Sequence, residues 1–179
     1  MPRIYWPAGF VPGFADNFAS NEIVMKTMTA DQAWPWLATP ERWPGYFPSL
    51  SAIAFWRNDG PLLTEGVCFD FTVKVGGKAY PMHNRILECV PPLPSDPTRP
   101  ARLAWHSWRG EENTPERFEV HHIWLMQNLE GGRLSILTQE TQIGRAAVEL
   151  ANTHPNAMVM MHQAWLEAMA AAIRQATAG

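Results

Sequence analysis

The sequence predicts an α+β domain: a curved antiparallel sheet of about seven strands, two short helices after the first strand, and a long C-terminal helix packed across the sheet. Three observations carry this. Met158, Met161, His162, Trp165, Met169, Ala172 and Ile173 recur at three- and four-residue steps, which is the period of one helix face. Gly76-Gly77 and Gly131-Gly132 each separate two runs of strand character, as hairpin turns do. Two threonine-started segments near the N-terminus are cut short by prolines, so each is a brief helix.

The elements follow in order. Residues 1–20 carry Tyr5, Trp6, Phe10, Phe14 and Phe18 between prolines and glycines without a clear period. This segment reads as an arm lying on an apolar surface, and the domain proper as residues 21–179. Asn21–Met28 is strand-like. Thr29 and Gln32 then form a capping box for a helix that contains Pro35. Thr39-Pro40 opens a second helix, which runs into Pro44 and Pro48.

A strand over Ala52–Trp56 ends in the turn Asn58-Asp59-Gly60-Pro61. Val67–Val75 and Lys78–Val90 form the first hairpin. The five prolines of PPLPSDPTRP exclude a central strand, so it is a surface loop. Arg102–Trp108 and then the hairpin of Phe118–Leu129 with Arg133–Ile143 complete the sheet. Residues 144–152 lead into the last helix, which Pro155 starts or kinks. That helix is the one element long enough to cover the sheet's apolar face.

Composition narrows the function. With 179 residues, 46% of them hydrophobic, the chain suits one domain that buries roughly 70% of its unfolded surface. Nine tryptophans and nine methionines fit either a large core or a cavity with adaptable walls. A net charge of -3 and the lack of a basic stripe argue against nucleic acid. The first residues lack a secretory leader's basic and apolar regions. His162, Gln163 and Glu167 interrupt the most apolar stretch, so no membrane insertion is expected. Cys68 and Cys89 stand several residues out of line across the first hairpin, too far apart for a disulfide. The expectation is a reduced, cytoplasmic protein; a homo-oligomer is neither required nor forbidden.

Strand parity sorts the polar residues. In RFEVHHIWLM, Phe118, Val120, His122, Trp124 and Met126 share the inward face, which leaves His121 outside in water. A three-residue turn at Glu130-Gly131-Gly132 places Glu140 opposite His122; a two- or four-residue turn sends it outward. His122 is then either a proton-transfer group coupled to Glu140 or a structural imidazole bonded to a neighbouring hydroxyl. In the first hairpin, Phe69, Phe71 and Val73 share a face with Tyr80, Met82, Asn84 and Ile86, while Asp70, His83 and Arg85 point outward. The buried Asn84 amide needs partners, supplied by the protein or by a ligand. His162 reaches either the interior or the helix's solvent boundary. No zinc motif, phosphate loop or nucleophile elbow occurs, so neither a metal nor a cofactor is expected.

In this order, ATPERWPGYFPSLSAI, LLTEGVCFDF, HHIWLM, GGRLSILTQETQIG and HQAWLEAMAAAI resemble the START-like, or SRPBCC, superfamily. Its helix-grip fold is shared by birch-pollen-allergen-type proteins, polyketide aromatase/cyclases and lipid-transfer domains. The resemblance spans about Asn21 to Ala176. It implies a cavity between sheet and terminal helix, with the short helices at its mouth and Trp43, Tyr46 and Phe47 as a gate.

Three functions follow as expectations. The first is binding of a small, mainly hydrophobic molecule, with aromatic or polyketide-like compounds among the candidates. Its walls would be Trp43, Tyr46, Phe47, Phe69, Phe71, Tyr80, Met82, Trp124, Met158, Trp165 and Met169, with Asn84, His122, His162 and Glu140 at its polar end. The second is a cyclase-like enzyme using His122 or Tyr80, with Glu140, for proton transfer. The outward Arg85 departs from the inward arginine common in such cyclases. The third is an interaction module acting through the aromatic arm.

Overall fold

The structure, a computed structural model, describes residues 4–177. Met1–Arg3 of the arm and the last two residues of the domain lie outside the described residues. Seven strands form one antiparallel sheet: β1 (Asn17–Lys26), β2 (Leu50–Phe55), β3 (Cys68–Val75), β4 (Lys78–Val90), β5 (Ala101–Arg109), β6 (Phe118–Leu129) and β7 (Arg133–Ile143). Their spatial order is β1-β7-β6-β5-β4-β3-β2, so the first two strands occupy opposite edges. The chain crosses between them through α1 (Ala30–Ala38), a 3₁₀ turn at Pro40–Arg42 and α2 (Trp43–Tyr46). After β7 come α3 (Arg145–Ala151) and α4 (Ala157–Thr177). No helix among the described residues is long and apolar enough to cross a membrane.

β1 begins at Asn17 rather than Asn21, with Asn17 opposite Gln142 of β7. Its inward residues there are Asn17, Ala19 and Asn21, small or polar side chains that hide the alternation from a hydrophobicity reading. It also ends sooner, at Lys26, because Thr27 turns to φ +54°. The first hairpin has the expected two-residue turn, Val75 pairing with Lys78; in the second, Leu129 pairs with Arg133 across three residues, which resolves the turn length left open by the sequence. At the start of α1 the Gln32 carboxamide oxygen accepts the Thr29 backbone N–H at 2.9 Å. The helical face of α4 lies over the sheet, burying Met158, His162, Trp165, Leu166, Met169, Ala170 and Ile173.

The interior between sheet and α4 is filled at one end by aromatics. Trp43 is completely buried: its ring stacks on Trp105 at 6.0 Å and meets Trp165 edge-on at 5.2 Å. Its indole N–H donates to the Leu37 carbonyl at 3.0 Å, so the polar atom is satisfied inside the core. Phe47 stacks on Trp165 at 5.5 Å. The Tyr46 hydroxyl donates to the Trp36 carbonyl at 3.0 Å and accepts the Trp165 indole N–H at 3.3 Å. Burial pushes the Tyr46 phenol well above its ordinary range.

The N-terminal arm covers the outer face of β5 and β6. Trp6 and Phe10 lie on His121, with ring centroids 5.6 and 5.9 Å away, and Phe10 also meets His106 at 5.8 Å. His121 is therefore 3% exposed rather than in water. Parity gave its face correctly, but that face is roofed by a segment without periodicity. Asp16 anchors the arm's end by accepting the Gly144 backbone N–H at 2.7 Å.

Candidate functional site

The site begins with strand register. The three-residue turn at Glu130-Gly131-Gly132 sets β6 against β7 so that His122 stands directly opposite Glu140 on the inward face. One helical turn into α4, His162 descends onto the same spot. His122, Glu140 and His162 are 3%, 5% and 0% exposed. Oε2 of Glu140 lies 3.1 Å from Nδ1 of His122 and 3.3 Å from Nε2 of His162. The two imidazoles stack 4.7 Å apart at 19°. Trp105 packs against the His122 ring at 4.5 Å.

Outer partners hold this cluster. Thr138 Oγ1 is 2.7 Å from Nε2 of His122, and a hydroxyl suits either tautomer of the neutral ring. The other Glu140 oxygen accepts from Gln142 Nε2 at 2.5 Å. Behind Gln142 stand Asn17, donating at 2.7 Å, and Asn156, donating to Asn17 at 2.9 Å. The Asn156 carbonyl oxygen in turn accepts the Met158 backbone N–H at 2.9 Å, capping α4. That cap fixes which end of Asn156 is oxygen, and so the direction of every amide down to the carboxylate. Burial pushes the His122 imidazole well below its ordinary range, and repulsion from His162 and His121 adds to the shift.

Beside the cluster lies a cavity of about 250 Å³. Its walls are mostly apolar, with Leu50, Phe71, Val73, Met82, Trp105, Phe118, Val120, Met158, Met161 and Trp165 among them. The polar patch comprises His122, Glu140, Gln142, His162 and Ser107. Glu149 and Thr153, both exposed, mark its opening by α3 and the turn into α4. Half-buried Arg109 lies in the wall, its guanidinium 4.8 Å from the Tyr80 ring and 5.1 Å from that of Phe118.

No protein-family model matches the chain, and the curated proteins give no significant match. Solved structures do. A hypothetical protein, jhp0584, from Helicobacter pylori is 34% identical, with 96% of both chains covered and a TM-score of 0.85. The Zhui aromatase/cyclase from a Streptomyces species, strain R1128, is 15% identical over 89% of this chain and 95% of its own, with a TM-score of 0.63. Major latex-like protein 151 from Panax ginseng is 8% identical over 87% and 97%, with a TM-score of 0.51. The chain belongs to one family with the Helicobacter pylori protein, and it has the helix-grip fold of the other two structures.

The residues singled out in the sequence divide. Phe71, Tyr80, Met82, His122, Glu140, Met158, His162 and Trp165 line the cavity. Trp43, Phe47, Phe69, Trp124 and Met169 are buried core and do not. Tyr46 is half-buried in the aromatic plug, so the expected gate of Trp43, Tyr46 and Phe47 closes one end of the interior, and the cavity opens elsewhere. Asn84 is also away from the cavity. Its amide donates to the Phe69 and Met82 carbonyls at 3.1 Å each and accepts from the Ser107 hydroxyl at 2.5 Å, which accounts for the buried group within the protein.

His162 faces inward, resolving the alternative left by the helix pattern. Asp70 and His83 do form an outer pair, at 2.9 Å. Sequence reading missed Thr138, Gln142 and Arg109. Thr138, Glu140 and Gln142 alternate along β7, and a run of polar residues on a face otherwise reserved for the core was a usable signal. Arg109 was missed because the strand was ended one residue early, at Trp108.

Proposed function

We propose that this protein is a member of the START-like (SRPBCC) superfamily and binds a small, mainly hydrophobic molecule in the cavity between sheet and α4, with the molecule's polar end on the His122, Glu140 and His162 cluster. The observation that carries this is the cavity itself: about 250 Å³, largely apolar, with its buried polar groups converging on one wall. Small-molecule sites are generally built this way, apolar surface supplying affinity and a few polar atoms supplying orientation. The kinship with a chain described as an aromatase/cyclase is consistent with an aromatic or polyketide-like ligand.

The test uses a neutral naphthyl fluorophore and the variant Ala146→Trp, which places an indole at the cavity wall near the opening. Wild type takes up one equivalent with micromolar affinity and quenches emission from its buried tryptophans. The filled variant keeps its fold and loses at least tenfold in affinity. Equal affinity in the two proteins would place the probe on the surface and sink the reading.

A second reading, proton-transfer catalysis of the cyclase type, is favoured by one observation. An imidazole stands 3.1 Å from a buried carboxyl group at the cavity wall, which suits a base held in orientation by its neighbour. Tyr80 lines the same cavity and would serve as the acid. In that case turnover follows a pH profile that His122→Ala abolishes.

A further inference from the structure

His122, Glu140 and His162 come from three separate elements, and their donor atoms all lie within 4.8 Å of one another. A tetrahedral ion with bonds of about 2.0–2.2 Å keeps its ligand atoms roughly 3.3–3.6 Å apart. The separations of 3.1 and 3.3 Å from the Glu140 oxygen to the two imidazole nitrogens are close to that spacing. Two imidazoles with one carboxylate suit borderline first-row cations; magnesium and calcium prefer oxygen-only shells. We propose that these three side chains form a binding site for one zinc-class divalent cation at the polar end of the cavity.

The surroundings fit this assignment. Ligand side chains of metal sites are held by outer hydrogen bonds that fix tautomer and orientation. Gln142 occupies one carboxylate oxygen of Glu140 and leaves Oε2 for the ion. The Thr138 hydroxyl, 2.7 Å from Nε2 of His122, can accept the proton of that nitrogen once Nδ1 is given to an ion. The rings of His122 and His162 are nearly parallel, at 19°, so their lone pairs meet on one ion only after one ring turns. A turn of the His162 ring breaks no hydrogen bond at its buried Nδ1, which has no partner among the described residues. All three residues also line the cavity, so a further coordination position faces the open space, as in zinc sites that accept water or a ligand atom.

This assignment does not rest on the apolar ligand, and the test reads the ion alone. Metal-free protein is titrated with cobalt(II) and then zinc(II). One equivalent of cobalt should bind and show the visible bands of a low-coordinate ion, and zinc should displace it. By nuclear magnetic resonance, the imidazole signals of His122 and His162 should move on zinc addition, while the other four of the six histidines stay in place. Glu140→Gln and His162→Gln should each weaken binding more than a hundredfold, and Gln142→Leu by about ten- to a hundredfold. His83→Gln, on the outer face, should change nothing. Absent cobalt bands in folded wild type overturn the site, as do bands that survive unweakened in both ligand variants. Should the variants not fold, unmoved His122 and His162 signals in wild type overturn it equally.

Discussion

His121 sits on the outer face of β6, yet Trp6 and Phe10 enclose it. Burial, with repulsion from His106, lowers its imidazole from the ordinary 6.5 to about 4. The unfolded ring therefore takes up its proton near pH 6.5 and the folded ring only near pH 4. Between those values the unfolded state holds more protons, so stability falls as the pH drops through the window and levels off below it. His106 and His122 are lowered too and act in the same direction. Thermal unfolding at stepped pH should show the loss, with His121→Phe removing a part on the order of 2 kcal/mol. An unchanged slope in that variant would assign the loss to the other histidines. At this scale the inward side of His122 was legible from alternation alone. Glu140 depended on the turn length, and the state of His121 depended on an arm whose resting place no local pattern encodes.

Helix α3 is the element the sequence reading reduced to a lead-in. It begins after Gly144, whose φ of +114° few side chains tolerate, and a Cβ there would collide with the Arg117 carbonyl. The same residue donates its N–H to Asp16 at the end of the arm. Gly144→Ala should therefore cost about 2–3 kcal/mol in chemical denaturation, because the strain has no flexible side chain to absorb it. A cost below about 0.5 kcal/mol, the ordinary surface range, would mean that the turn reshapes freely. The long elements were readable because α4 repeats its apolar stripe and each hairpin has its glycine pair. The start of β1 was not, since alternating asparagine and alanine carries no hydrophobic signal.

Across the whole molecule, the interior is divided between a packed end and a hollow one. Trp43, Trp105, Trp124 and Trp165 fill the first; α3 and the turn into α4 border the opening of the second. The fold class was legible because element order and turn chemistry agree along the entire chain. Which end stays empty was not, because that follows from how large rings interlock in three dimensions. Trp43→Ala should lower stability by about 3–5 kcal/mol, as expected for removing a fully buried indole. Fluorophore affinity should stay within a few fold of wild type. A stable Trp43→Ala protein with faster probe uptake would instead restore the gate.

The line of carboxamides from Asn156 through Asn17 and Gln142 to Glu140 joins the first turn of α4 to the heart of the site through a strand at the sheet's edge. Each link gives its hydrogen in the same sense, so no member can reverse without stranding the next. A guest that pulls on the carboxylate must tug the foot of the closing helix as well. If the hollow takes a guest, its occupancy and the tightness of its cover should therefore rise together, without any hinge being required.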